Sequence, residues 1–267
     1  MRDSWDDRIH RAETLAARMG AADAMLGFYV RLLGIQKDIY ESLRNRRLTG
    51  DVALDATAET QFAPKLLAMT VSSGPATLRE RAEQLQSGTD FEGLAQRFWQ
   101  SPSDRDFFGK ALVQPYLERL AEQRVPPRHR DHLRDRGIGA PGLSQAGRCP
   151  FCAGAPQLSI LEEHAASLES GGRQLQCANC LNRWPCRRVV CVACGEEDEH
   201  KLAYYQSDEF PHIRVDSCET CGHYLKSIDL GKLGLAVPIV DEMAGAALDA
   251  WAVEKGFTKI ELNLAGM

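Results

Sequence analysis

The first 148 residues of this 267-residue chain contain no cysteine, although the whole carries nine. Thiol chemistry is therefore confined to the C-terminal half. The chain also lacks a long apolar run. Its strongest stretch, Leu233 to Val240, is broken by Gly234 and Pro238 and falls far short of the roughly 20 residues that cross a bilayer, so no membrane insertion is expected. The first residues, Met1 to Asp7, are charged and show no apolar core or small-residue cleavage site, so no secretory signal is expected and the compartment reads as cytoplasmic. There is no excess of positive charge: 32 Lys and Arg face 37 Asp and Glu, the net charge is -5 and the pI near 5.8, the wrong sign for a protein that neutralises phosphate backbones, which disfavours nucleic acid as the main partner. No phosphate-binding loop, dinucleotide fingerprint, H-E-x-x-H or nucleophile elbow occurs, so no catalytic residue is named and the chain reads as a non-enzyme. With 12 prolines, 44% hydrophobic and 26% charged residues, it lies in the globular range, outside the disordered and collagenous ones.

What is present is a cysteine pattern. Eight of the nine cysteines form four CxxC pairs: Cys149/Cys152, Cys177/Cys180, Cys191/Cys194 and Cys218/Cys221. Paired thiols in a reducing compartment are more often metal ligands than disulfides. A span of 24 residues separates Cys152 from Cys177, and 23 separate Cys194 from Cys218, so the module reads as a repeated CxxC-loop-CxxC unit with two four-cysteine sites. Four thiolates accept zinc or iron alike, so the spacing leaves the metal open between them. A glycine after the second cysteine supplies the left-handed backbone of a metal knuckle; Gly195 and Gly222 fit. Ala153 and Leu181 occupy the equivalent places in the first site, which predicts a less regular geometry there. Cys186, between arginines and beside Trp184-Pro185, reads as an inert thiol rather than a nucleophile. His164, His200, His212 and His223 read as surface residues, with His223 close to a knuckle. Arg183, Arg187 and Arg188 suggest a basic patch, but residues 148–228 hold 8 Lys/Arg against 11 Asp/Glu, so a solvated rim is the simpler reading. The acidic run Glu196–Glu199 reads as a solvated loop.

The organisation follows. Apolar residues recur at helical spacing before the linker, as in Phe28, Tyr29, Leu32, Leu33, Gln36, Ile39 and Leu43. Helices are predicted near 4–19, 21–46, 57–72, 76–87, 90–101 and 104–123. The fold class is α+β, with a helical domain over 1–123 and a Pro- and Gly-rich linker over 124–147. A first rubredoxin-like metal unit covers 148–188, a second covers 189–230, and a C-terminal helical tail, with a helix near 238–255, covers 231–267.

The order of motifs is more specific than a generic zinc ribbon. Arg148-Cys-Pro-Phe-Cys152 is followed by Arg173-Gln-Leu-Gln-Cys-Ala-Asn-Cys180, Trp184 and Arg188-Val-Val-Cys-Val-Ala-Cys-Gly195. Asp216-Ser-Cys-Glu-Thr-Cys-Gly-His-Tyr-Leu-Lys226 and Val237-Pro-Ile-Val-Asp-Glu-Met243 come next. This order resembles the FdhE family, the formate dehydrogenase accessory proteins. The resemblance implies a helical part joined to two rubredoxin-like domains in which the eight CxxC cysteines hold two metal ions, iron or zinc. It also implies a non-enzymatic cytoplasmic chaperone whose partner is the catalytic subunit of a formate dehydrogenase; self-association as a homo-oligomer is compatible with the sequence. The readings kept beside it are a zinc-ribbon nucleic-acid-binding adaptor and an iron-rubredoxin-type electron carrier.

Overall fold

The computed structural model describes residues 3–19, 24–51, 58–87, 93–101, 106–128, 145–162, 172–264 and 266. The chain divides into two compact units, one built from 1–130 with 264–266 and the other from 131–263. Most of the predicted linker, 129–144, lies outside the described residues.

The first unit is helical: α1 (Trp5–Met19), α2 (Ala24–Ser42), α3 (Ala58–Ser73), α4 (Ala76–Ser87), α5 (Leu94–Gln100) and α6 (Phe107–Gln123). Helix α1 starts where Ser4 and Asp7 cap each other: the Asp7 amide donates to Ser4 Oγ at 3.1 Å and the Ser4 amide donates to Asp7 Oδ2 at 2.9 Å. This reciprocal pair satisfies amides that have no partner within the helix. Helix α6 begins at Asp106, whose carboxylate accepts from the Gly109 amide at 3.0 Å. From Phe107 to Glu118 it is buried on every side, so it is the axis about which the unit packs. Gly109 permits the contact with α5, since a Cβ there would lie 2.5 Å from Phe98 Cβ. A central helix must also satisfy its polar groups. Arg8 of α1 donates from Nη1 to buried Glu118 of α6 at 3.0 Å and also pairs through Nη2, while Gln36 of α2 donates to the Ala111 carbonyl at 3.0 Å.

The second unit carries one seven-stranded sheet. Its strands are β1 (Pro156–Leu161), β2 (Arg173–Cys177), β3 (Arg183–Cys186), β4 (Leu202–Gln206), β5 (Ile213–Cys218), β6 (His223–Asp229) and β7 (Thr258–Lys259). The order is β3-β2-β1-β6-β5-β4, with β7 beside β6. Strands β1 to β3 form one antiparallel meander and β4 to β6 another. They join through a parallel pairing of Leu158–Leu161 with Lys226–Asp229. The two cysteine-bearing segments thus share a single sheet, and β1, buried along its whole length, lies at the join.

The predicted tail helix is two helices, α7 (Pro238–Ala244) and α8 (Ala246–Glu254), broken at Gly245. The break lies over a buried charge in the sheet. The buried ammonium of Lys226 on β6 donates to the carbonyls of Glu242 and Gly245, the latter at 3.3 Å, and the Gly245 carbonyl also accepts from the Leu248 amide at 3.1 Å, so Lys226 ties the end of α7 and the start of α8 to the sheet. A Cβ on Gly245 would stand 3.0 Å from Ile213 Cδ1. Helix α8 packs Leu248 and Ala252 against Ile213, Val215, Tyr224 and Ile228 of the sheet; full burial of such an aliphatic side chain contributes about 1.5–3 kcal/mol. Asp241 pins α7, its carboxylate accepting from the Val237 amide at 2.8 Å and meeting His212 Nε2 at 2.9 Å. No described helix is long and apolar enough to cross a membrane.

Candidate metal centres

The eight CxxC cysteines converge as two sets of four: Cys149, Cys152, Cys177 and Cys180 in one, Cys191, Cys194, Cys218 and Cys221 in the other, with all sulfurs of a set within 4.8 Å of one another. In each set one pair precedes a strand and the other lies at the following hairpin. Cys177 closes β2 and Cys218 closes β5. The sulfur separations are 3.4 Å for Cys152–Cys177 and 3.6 Å for Cys149–Cys180. In the second set Cys191–Cys221 and Cys194–Cys218 are both 3.7 Å apart. A tetrahedron with metal–sulfur bonds of about 2.3 Å has edges of about 3.8 Å. The sulfur sets therefore fit a tetrahedral ion, and both clusters can hold one.

All four knuckles share a left-handed residue after the second cysteine, including the two of the first site that lack glycine there. The residue after the second cysteine is left-handed each time: Ala153 at φ 66°, Leu181 at 54°, Gly195 at 82° and Gly222 at 69°. The Ala153, Gly195 and Gly222 amides donate to Cys149, Cys191 and Cys218 carbonyls at 2.8–2.9 Å. The requirement of the site thus overrides residue preference, and Ala153 and Leu181 carry backbone strain. Gly154 serves a different need, clearance: a Cβ there would stand 2.7 Å from Asn179 Nδ2 and 3.3 Å from the Cys177 sulfur. Ala153→Gly is accordingly expected to stabilise the protein by about 1 kcal/mol, read as a higher Tm at unchanged metal content.

The electrostatics favour a cation. Burial drives the Cys177 and Cys180 thiols well above their ordinary range, while hydrogen bonds from Cys152, Cys177 and Cys180 hold Cys149 well below it. In the second set burial raises Cys191 and pushes Cys221 up to about 11. Burial also acts to raise Cys218, but amides of Cys221 and Thr220 and the neighbouring thiols outweigh it and lower that group. Each cluster by itself thus tolerates few thiolates, and a bound divalent ion must displace protons to gather four. The two clusters differ in access. All four cysteines of the first are buried, whereas Cys194 is exposed and Cys221 half-buried in the second.

Other predicted residues stand apart from the clusters. Cys186 is buried in β3, and burial raises its thiol despite Arg173 and Arg187 nearby, as suits an inert group. His223 Nδ1 lies 2.9 Å from the Cys221 carbonyl, beside the second cluster; His164 lies outside the described residues. The basic patch is partly spent on structure: Arg183 donates to Gln176 at 2.9 Å, and Arg187 pairs with Glu197 of the acidic loop.

One constellation escapes sequence reasoning altogether. Lys226, Lys259, Glu242 and Asp249 are all buried together. Lys226 Nζ lies 3.0 Å from Glu242 and also contacts Asp249; Lys259 Nζ lies 3.0 Å from Asp249 and also contacts Glu242. The Tyr224 hydroxyl donates to Asp249 at 2.8 Å, and Gln157 and Asn263 donate to Glu242 at 3.0 and 3.1 Å. Burial works to raise Glu242, but the two ammonium groups hold it at about 2. Two cations and two anions balance, so β1, β6, β7 and both tail helices share one neutral polar core. The available signal was Lys226 in a strand whose alternate residues, Tyr224 and Ile228, face the core.

Comparison with known proteins gives a consistent result. Residues 189–265 match the family model described as "FdhE, C-terminal domain". "Protein FdhE homolog" of Aquifex aeolicus is 33% identical over 206 residues, covering 75% of this chain and 68% of the relative. The proteins of the same name from Haemophilus ducreyi and Pasteurella multocida are 29% and 30% identical, covering 64% of this chain and 51% and 50% of their own lengths. The chain thus spans about half the length of these last two. The crystal structure of the FdhE protein from Pseudomonas aeruginosa superposes with a TM-score of 0.65 at 21% identity, covering 99% of this chain and 97% of that one, which establishes the likeness of fold.

Proposed function

This chain belongs to the FdhE family, and from that premise we propose that it is a non-catalytic accessory protein of the cytoplasm that binds the catalytic subunit of a formate dehydrogenase and assists its assembly or maturation. The observation that carries the reading is the pair of four-cysteine clusters set in one sheet, within a chain whose likeness to an FdhE homologue runs over 75% of its length. Cys149, Cys152, Cys177 and Cys180 hold one ion, and Cys191, Cys194, Cys218 and Cys221 hold the other, each iron or zinc. The ions supply cross-links that a small sheet unit needs for stability. The chain's own residues do the rest: they present a rigid surface to the partner, with the second cluster open to solvent and the first sealed.

The test is anaerobic affinity purification of the tagged protein from its own host, beside a Cys191→Ser/Cys194→Ser variant, with bound metals and co-eluting proteins identified. The expected result is a formate dehydrogenase catalytic subunit with the wild type, reduced or lost with the variant. Co-elution of nucleic acid alone, or of nothing, would overturn the proposal.

A further inference from the structure

The two edges of the sheet are built differently. At one end β3 carries Pro185, and its Trp184 indole donates to the Ala146 carbonyl at 3.0 Å. Proline and a covering segment are devices that keep an edge from pairing with another chain. At the other end β4, Leu-Ala-Tyr-Tyr-Gln, has no proline, glycine or charge, and Tyr204 is 62% exposed.

The backbone shows which groups of β4 face outward. The Glu219 amide donates to the Lys201 carbonyl at 2.9 Å, so Lys201 and Glu219 bond across the ladder. Bonded and unbonded pairs alternate in an antiparallel ladder. With the register Ala203↔Ser217 and Tyr205↔Val215, residues 203 and 205 bond inward; the N–H and C=O groups of Tyr204 and Gln206 and the C=O of Leu202 point away from the sheet, while the Leu202 N–H donates to the Glu199 carbonyl.

Charge selects the occupant. Residues 196–209 contain six acidic residues against one lysine. They lie at both ends of β4, and Glu199, Asp208 and Glu209 form no ion pair among the described residues. Two copies paired edge to edge would oppose these acids. Beside Tyr204 a cleft of about 220 Å³ is walled by Val189, Val192 and Leu202; Arg173 and Arg214 in it are matched by Asp216, at 3.6 and 2.8 Å, and Arg188 lines it too. Its apolar wall takes an apolar side chain, and Glu199 stands at its rim.

We propose that β4 is the docking edge of the molecule, to which an extended segment of the catalytic subunit adds as a further strand, its Lys or Arg residues facing the two acidic ends and one apolar side chain entering the cleft beside Tyr204. The inference rests on the partner assigned above. In this mode backbone hydrogen bonds supply affinity and the side-chain seat supplies specificity.

The experiment measures binding of the full-length, metal-loaded protein to the purified catalytic subunit for wild type, Tyr204→Pro, Tyr204→Thr and Asp208→Lys/Glu209→Lys. Proline deletes an outward N–H and leaves the inward ladder intact, so Kd is expected to rise about tenfold or more. Threonine keeps the N–H and is expected to restore most of the affinity. The charge reversal is expected to weaken binding and flatten its salt dependence, and it carries the test if the proline variant loses its fold or metal. Wild-type affinity in both Tyr204→Pro and the charge reversal would overturn the docking edge while leaving the partner intact. Absence of wild-type binding would overturn the partner and the edge together. A wild-type dimer that Tyr204→Pro dissociates in sedimentation would assign the edge to a second copy and overturn the proposal.

Discussion

Cys177→Ser is expected to halve the metal content and to abolish cooperative unfolding of the 131–263 unit, whereas Cys194→Ser is expected to leave the fold standing. The contrast follows from placement. Cys177 is fully buried at the end of β2, and burial already drives its thiol up. Without the ion the first cluster offers buried, poorly solvated sulfur and a strained turn at Ala153 and Leu181. Structural Cys-rich sites contribute about 10–16 kcal/mol apparent in isolated peptides, comparable with the whole stability of a domain at about 5–15 kcal/mol. Cys194 by contrast is exposed and lies in a loop before β4. The same difference predicts two-phase metal release: a chelator removes one equivalent, that of the second cluster, well before the other. Metal content and far-UV circular dichroism followed together check both statements. Simultaneous loss of both equivalents would contradict the assigned asymmetry.

Lys226→Met is expected to destabilise the protein by about 3–5 kcal/mol, because it leaves two buried carboxylates facing one ammonium. Both Glu242 and Lys226 are 0% exposed, so water cannot replace the lost partner. The penalty also comes from a lost anchor: Lys226 holds the two carbonyls at the α7–α8 break. A Lys226→Met/Asp249→Leu variant, which removes one charge of each sign, is expected to recover part of the loss. The network further predicts an acid limb. Glu242 titrates at about 2 in the fold against an ordinary 4.5. A depressed carboxylate stabilises fully above its unfolded value and loses that contribution as pH falls toward the folded one. The stability gap between wild type and Glu242→Gln is therefore expected to shrink between about pH 4.5 and 2, measured by denaturant unfolding at each pH. A gap constant across that window would show that Glu242 is not charged in the fold.

The parts of this molecule that were legible in its sequence are those written in local periods. The helical spacing of Leu32, Leu33, Gln36 and Ile39 placed α2, and these residues are buried as the pattern requires. The four CxxC pairs named the eight cysteines that the fold gathers into two sets. What stayed hidden depends on contacts between distant segments. The parallel pairing of β1 with β6 joins strands separated by more than sixty residues, and no local signal distinguishes it from two independent ribbons. The charge network draws Lys226, Glu242, Asp249 and Lys259 from four elements, so each reads alone as a surface residue. The break at Gly245 lies over Lys226, a contact that only the assembled sheet creates. At Ala153 and Leu181 the sequence argued against a regular knuckle, and the geometry of the cluster prevailed over side-chain preference.

The most direct test of the account is native mass spectrometry of the protein purified anaerobically together with its bound partner. The predicted species is this chain with two metal ions and one formate dehydrogenase catalytic subunit. A chain that carries no metal, or two metals with no such subunit under conditions where the enzyme is being made, would contradict it.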